Sequence, residues 1–143
     1  MGNFETVRAI TDNIMDILKA EGMHFPRTNQ GDEKNIPASL IPLGAVSYTG
    51  EAFEYTHGQR PGYMEAGFAV KVLLNERDPV VMTRQQQTWI HRIREALTMD
   101  ALNTGDLASN RLVSRVTTDS VAVEEKAGKA VLTCRLRVRY RGQ

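Results

Sequence analysis

The spacing of apolar residues predicts an amphipathic helix at the start of the chain. Between residues 3 and 20, apolar side chains recur at steps of three and four, which places them on one stripe of a helix. The members of this stripe are Phe4, Val7, Ile10, Ile14, Ile17 and Leu18. Gly22 and Pro26 follow and are suited to end the helix. The stretch 22–42 is rich in proline, glycine and polar residues, so we expect a long polar loop there.

Alternation with a period of two predicts two long strands after this loop, over residues 43–56 and 62–75. In the second strand every other residue from Met64 to Leu74 is apolar, as expected for a strand with one buried face. In the first strand Gly50 interrupts the alternation, which indicates a bulge. Turn-forming residues at 57–61 join the two strands. We therefore expect a long hairpin whose tip projects past the body of the domain.

A second helix follows the first hairpin. Asp78 has the chemistry of an N-cap and stands directly before Pro79, a residue favoured at the first helical position. Every fourth residue from Val81 to Ile93 falls on one row, which we expect to face the core. The arginines of this helix, Arg84, Arg92 and Arg94, are expected in solvent. Residues 98–110 are expected to form a loop.

The chain closes with a second predicted hairpin, formed by strands at 111–123 and 130–141 around a turn at 124–129. Apolar residues of the last strand point one way and arginines the other. The arginine row consists of Arg135, Arg137, Arg139 and Arg141. The element order α-β-β-α-β-β predicts an α+β fold with a largely antiparallel sheet and both helices on one face. No linker or repeat divides residues 1–143, so we expect a single domain.

Composition agrees with one globular domain and excludes several classes of protein. The chain has 143 residues, of which 41% are hydrophobic and 24% are charged. Its one cysteine, Cys134, excludes an internal disulfide or a zinc site with several thiolates, and its place in an apolar row predicts a buried, inert thiol. No apolar run approaches the ~18 residues of a membrane span, so we expect no membrane partner.

The sequence contains no recognisable catalytic chemistry. The histidines His24, His57 and His91 are not spaced as metal ligands, and no phosphate loop, nucleophile elbow or dinucleotide fingerprint is present. We therefore predict a protein that is not an enzyme, with no catalytic, cofactor-binding or metal-binding residues.

Charge is unevenly distributed along the chain. Residues 1–110 carry ten basic and fourteen acidic side chains, whereas residues 111–143 carry eight basic and three acidic ones. Three interpretations of the arginine row remain open: a solvated outer face, a contact with carboxylates of another copy or protein, and a contact with nucleic-acid phosphate. Base stacking is disfavoured, because Tyr140 points to the opposite face. Self-assembly is attractive, because the basic strand of one subunit could meet the acidic surface of the next.

The whole chain resembles the tail terminator proteins of long-tailed bacteriophages, also called minor tail protein U-like or tail completion proteins. The resemblance lies in the helix at 4–19, the Pro-containing segment at 36–42 that leads into a strand, and the hairpin ending at 68–74. It continues in the helix at 84–97 and in the closing strand at 136–141, where apolar and basic residues alternate before a terminal Tyr-Arg. The match is one of element order, element length and the general pattern of apolar and polar residues, and not of one invariant motif.

This resemblance implies an α+β subunit of a six-membered ring that sits on the head-proximal end of the tail tube in the virion. Such a ring, assembled in the host cytoplasm, ends tube polymerisation and offers a docking surface to the head connector. The genomic DNA passes through its lumen without specific binding, and no cofactor is needed. The alternatives are another neck component, such as a head-closure or tube-like protein, and a small nucleic-acid-binding module that uses the arginine strand.

Two groups of residues are candidates for these contacts, chosen by expected exposure. The candidates for subunit contacts or the lumen wall are Arg111, Arg115, Arg135, Arg137, Arg139 and Arg141. The candidates for docking to the tail tube protein or the connector are Asp32, Glu33, Lys34, His57, Gln59 and Arg60.

Overall fold

The chain folds into one antiparallel sheet with helices packed against one of its faces, as the sequence predicts. The computed structural model describes residues 3–25, 41–54 and 62–142. The elements in chain order are α1 (Asn3–Ala20), β1 (Leu43–Glu54), β2 (Tyr63–Asn75), α2 (Pro79–Ala96), α3 (Met99–Leu102), a 3-10 turn (Gly105–Leu107), β3 (Val113–Lys126) and β4 (Lys129–Arg141). The four strands lie in the order β1-β2-β4-β3, so the two hairpins pair through β2 and β4, and β1 and β3 form the edges.

The core lies between the helices and the inner face of the sheet. The two central strands bury the alternating apolar positions predicted for them, from Met64 to Leu74 in β2 and from Leu132 to Tyr140 in β4. Cys134 belongs to this row and is only 1% exposed, which confirms the predicted buried thiol. The alternation was readable because only one face of these strands is covered by helices.

Helix α1 buries the middle of its predicted stripe but not its start. Ile10, Ile14 and Leu18 are fully buried, whereas Phe4 is 73% exposed. Phe4 lies in the first turn, beside Tyr48 of the edge strand β1, where no further layer covers the ring. The start of the stripe is exposed because the helix begins at the margin of the sheet.

Helix α2 begins as predicted and buries the second half of its predicted row, but not the first residue of that row. Asp78 is the N-cap, and its Oδ1 accepts a hydrogen bond of 2.9 Å from the backbone N–H of Val80. The buried side chains are Met82, Trp89 and Ile93, while Val81 is 38% exposed. Trp89 and Ile93 confirm the predicted row, whereas in the first turn Met82 takes the buried place expected for Val81.

The segment at 98–110 is ordered and not the open loop expected from its composition. Thr98 caps α3 by accepting a hydrogen bond from the N–H of Ala101, and Leu102 and Leu107 are fully buried. The side chain of Asn103 forms two hydrogen bonds with the backbone of Val113, donating at 2.9 Å and accepting at 3.0 Å. This amide ties the segment to the start of β3.

The second hairpin has a tighter turn than the sequence indicated. Strand β3 runs to Lys126 and β4 starts at Lys129, so Ala127 and Gly128 alone form the turn. Both have positive φ, 52° for Ala127 and 80° for Gly128, as a type I′ turn requires. The predicted six-residue turn at 124–129 was wrong because strand pairing extends through Glu124 and Glu125.

Both edge strands carry a bulge near the same level of the sheet. In β1 the pairing skips Thr49, which confirms the irregularity predicted from Gly50, and in β3 it skips Asp119. Each bulge adjoins the row in which Phe68 of β2 lies opposite Leu136 of β4. In the described ranges, no helix is long and apolar enough to cross a membrane.

Candidate functional site

The predicted arginine row lies on the outer face of the sheet, opposite the helices. Arg135, Arg137 and Arg141 are exposed and Arg139 is half-buried, while the apolar residues between them are buried. This alternation confirms the predicted facing of β4. Arg115 of β3 lies on the same face, paired across the strands with Arg139.

Arg137 stands at the centre of a network of ion pairs. Its Nη1 donates to Oε1 of Glu65 over 2.7 Å, and its Nε donates to the carboxylate of Asp119 over 2.8 Å. Arg115 donates to the other oxygen of Glu65 over 3.3 Å. The hydrogen bonds from Asp119 and Glu65 raise the pKa of Arg137. Glu65 therefore separates two arginines whose like charges would otherwise face each other.

Arg139 pairs with the end of strand β1. Its Nε and Nη2 donate to the two carboxylate oxygens of Glu54, over 3.1 and 3.3 Å. Its guanidinium carbon also lies 3.7 Å from the centre of the Tyr63 ring, in cation–π geometry. The hydrogen bonds to Glu54 raise the pKa of Arg139. A bidentate pair stacked on a ring holds this side chain in one orientation.

The remaining candidates of this group differ in their contacts. Arg111 donates to Asp100 over 2.6 Å, and Arg141 donates to the backbone oxygen of Asn110 over 3.1 Å. Arg135 has no ion pair among the residues described by the structure. Arg135 and Arg141 are thus the two members of the row without a carboxylate partner within those ranges.

Charges that are segregated along the sequence are thus interleaved on the folded outer face. Glu54 and Glu65 come from the acidic first part of the chain and pair with arginines of the basic last part. The row is therefore a network of compensated charges and not a continuous basic strip. Such a face is suited to solvent or to a polar partner surface more than to a phosphate backbone.

The docking candidates cannot be placed on this surface. Asp32, Glu33, Lys34, His57, Gln59 and Arg60 lie outside the described residues.

A groove beside α2 was missed by the sequence interpretation. It has a volume of about 480 Å³ and runs between α2 and the segment that enters β1. Its apolar lining includes Ile41, Leu74 and Trp89, and Arg84 and Arg92 stand along it. The guanidinium of Arg92 lies 5.2 Å from the centre of the Trp89 ring. The spacing Trp-x-x-Arg could have predicted the contact between Trp89 and Arg92, because residues three apart are neighbours on the surface of a helix.

A second groove lies where the start of α1 passes β1. Its rim includes the exposed rings of Phe4 and Tyr48, and its floor holds Glu51, whose Oε1 accepts a hydrogen bond of 2.8 Å from the hydroxyl of Tyr140. Burial, followed by the hydrogen bond and the charge of Glu51, raises the pKa of Tyr140. This carboxylate fixes the buried end of β4.

The metal-ligating side chains and the single cysteine are the remaining features of the described residues. These residues contain no group of three or more histidine, cysteine, aspartate or glutamate side chains placed to hold a metal ion. Burial raises the pKa of the Cys134 thiol to about 11, so that the thiol stays protonated and weakly nucleophilic near neutral pH.

Comparison with known proteins finds a similarity at the level of the fold. No protein-family model and no curated protein matches the chain. Among solved structures, it is similar to a chain in the virion of a native gene transfer agent particle, with a TM-score of 0.52 and 12% sequence identity. The match covers 93% of this chain and 92% of the other. The two chains thus share their fold over almost their whole length.

Proposed function

We propose that this protein is a structural subunit of a phage-like virion and, within it, the tail terminator. The observation that carries the proposal is the shared fold with a gene transfer agent virion component, which extends over 93% of the chain. The resemblance in element order to tail terminators supports the finer role. In that role the subunit forms a ring, six-membered by that resemblance, which stops addition of tail tube protein and receives the head connector.

The surface of the described part of the molecule supports an assembly role. A network of ion pairs covers the outer face of the sheet, while the apolar groove beside α2 remains open. Proteins that act by binding other subunits need such faces and no reactive group. The proposal therefore includes no enzymatic activity and no cofactor, and the genome passes the ring without specific binding.

The test is the length of the tail tube. Purified tail tube protein from the same particle, polymerised with this protein present, should give short tubes that carry a cap at one end in electron micrographs. Particles made without this protein should carry overlong tails. Tails of normal length in those particles would overturn the terminator role, and tails of normal length that fail to join heads would favour the alternative of another neck component.

The nucleic-acid alternative has a separate test. If about four arginines contacted phosphate, the logarithm of the affinity would fall with the logarithm of the salt concentration with a slope of about −3 to −4. Because Arg115, Arg137 and Arg139 bond to carboxylates of the same chain, we expect no such binding. DNA binding with that slope would contradict the structural proposal.

A further inference from the structure

Two surfaces on opposite flanks of α2 have complementary chemistry. The first is the α2 groove, defined by Val81, Arg84, Trp89 and Arg92. The second is the β3 patch, defined by Val121, Val123 and Glu125. We propose that the β3 patch of one copy docks into the α2 groove of the next, as the contact that builds the proposed ring. The inference rests on the proposed function in assuming that copies of the chain contact one another.

The α2 groove combines apolar surface with positive charge that has no described counterpart. Arg84 and Arg92 form no ion pair with any residue in 3–25, 41–54 or 62–142, unlike most arginines of the outer face. They are separated by eight residues, or about 12 Å along the helix. Val81 is 38% exposed between apolar walls. Interfaces favour such a combination of arginine and exposed apolar surface.

The β3 patch offers the matching features. Val123 is 45% exposed, although it pairs across the sheet with the fully buried Leu132. Val121 and Glu125 share its face, because residues two apart on a strand point the same way. Lys126 and Lys129 flank the turn and lie opposite each other in the strand register, and their side chains are on the other face of the sheet. The patch therefore presents the exposed Val123 next to the carboxylate of Glu125, while Val121 packs partly against the core. The charge of Arg94 in α2 acts on Cys134, opposite Val121, at the end of the patch away from Glu125.

The positions of the two surfaces make the contact head-to-tail. The groove adjoins the segment that enters β1, and the patch lies on β3, the other edge of the sheet. Within one copy, Gln86 donates to Glu125 over 3.2 Å, and Gln86 lies about 160° round α2 from Arg84. One copy cannot fill its own groove with its own patch. A contact between two different surfaces repeats from copy to copy and closes into a ring when the rotation permits.

A protein partner suits this groove better than nucleic acid. Trp89 is only 7% exposed and Arg92 covers its ring, so the indole face is not available to stack a base. The exposed Val123 side chain suits a groove of about 480 Å³ with apolar walls. The carboxylate of Glu125 would then meet Arg84 or Arg92, and the partner would exclude water from the pair.

Charge reversal tests the contact through sedimentation velocity and native mass spectrometry. The wild-type chain should self-associate, and both R84E/R92E and E125R should raise the dissociation constant at least tenfold. Combining all three substitutions in one chain restores opposite charges and should recover association. An equimolar mixture of R84E/R92E with E125R should also assemble, because each variant supplies the complement of the other.

Matched controls keep the test specific. E124R changes the same charge on the opposite face of β3, and R8E changes an exposed helical arginine away from the groove, so neither should alter association. Circular dichroism must show each variant folded.

Three results would overturn the contact. They are a wild-type chain that stays monomeric up to about 1 mM, reversals that leave association unchanged, and a DNA oligonucleotide that binds through Arg84 and Arg92 without dependence on Glu125. If the charge reversals leave association unchanged but the protein still limits tube length, the contact is wrong and the proposed function stands. If the reversals weaken association but the protein does not limit tube length, the contact stands and the proposed function is wrong.

Discussion

The hydroxyl of Tyr140 donates a hydrogen bond of 2.8 Å to Glu51, joining the buried end of β4 to the edge strand β1. Tyr140 is fully buried and is among the largest core side chains, whereas Glu51 is only partly covered. The phenol thus fills the core with its ring and satisfies its one polar atom at the margin.

Replacing Tyr140 by phenylalanine separates these two roles. Y140F keeps the ring and loses the bond, so we expect the free energy of unfolding to fall by about 1–2 kcal/mol. Y140A also leaves a cavity and should cost about 3–5 kcal/mol. Urea denaturation measures both. An equal fall in the free energy of unfolding for Y140F and Y140A would contradict separate contributions of the ring and the hydroxyl.

Cys134 should make stability depend on alkaline pH. Burial raises its pKa from 9.0 to about 11, so the folded state holds the proton more tightly than the unfolded state does. This contribution is fully present below about pH 9 and is lost as the pH rises from about 9 to 11. In C134A the decline over that range should be shallower, as followed by thermal unfolding at each pH. Parallel curves for the two proteins would refute the prediction.

Glu65 should contribute more than Asp119 to the stability of the folded protein. E65A removes the carboxylate that bonds to both Arg115 and Arg137, whereas D119A removes a carboxylate bonded to Arg137 alone. We expect a larger fall in melting temperature for E65A at low salt. The difference should shrink in 1 M salt, where the Debye length is about 3 Å. A difference independent of salt would point to packing instead of charge.

One substitution in the β3–β4 turn should stabilise the folded protein. Ala127 has a φ of 52°, a left-handed conformation that disfavours residues with a Cβ, while asparagine tolerates it and Asn-Gly is the preferred pair in a type I′ turn. We expect A127N to raise the free energy of unfolding by about 0.5–1 kcal/mol. The matched substitution A122N, in the extended part of β3, should not stabilise. A melting temperature unchanged in A127N would argue against strain at this turn.

The sequence predicted the elements well because their periodicity reflects burial on one side. The alternation in β4 gave both its buried row and its arginine face. Other features depend on contacts between distant parts of the chain. The pairing of β2 with β4 brings Glu65 beside Arg137, and nothing in the spacing of either strand encodes that register. The first turn of α2 was likewise set by packing, because Met82 is buried where Val81 was expected.

The same limit applies to the candidate surfaces. The arginines were correctly expected on the outer face, but the carboxylate partners of Arg115, Arg137 and Arg139 come from β1, β2 and the bulge of β3. The α2 groove needs Ile41 and Leu74, which are far from Trp89 in sequence. Grooves between elements become visible only when the elements are placed.

The bulges at Thr49 and Asp119 affect whether strands from other copies of this chain can add to the edges of the sheet. A flat, regular edge strand is a template on which another chain can add its own strand without limit. Here both edges are interrupted beside the row of Phe68, and the interruption twists each edge away from a regular ladder. The bulges therefore disfavour the addition of strands from other copies to either edge, which is the route by which exposed edges form fibrils.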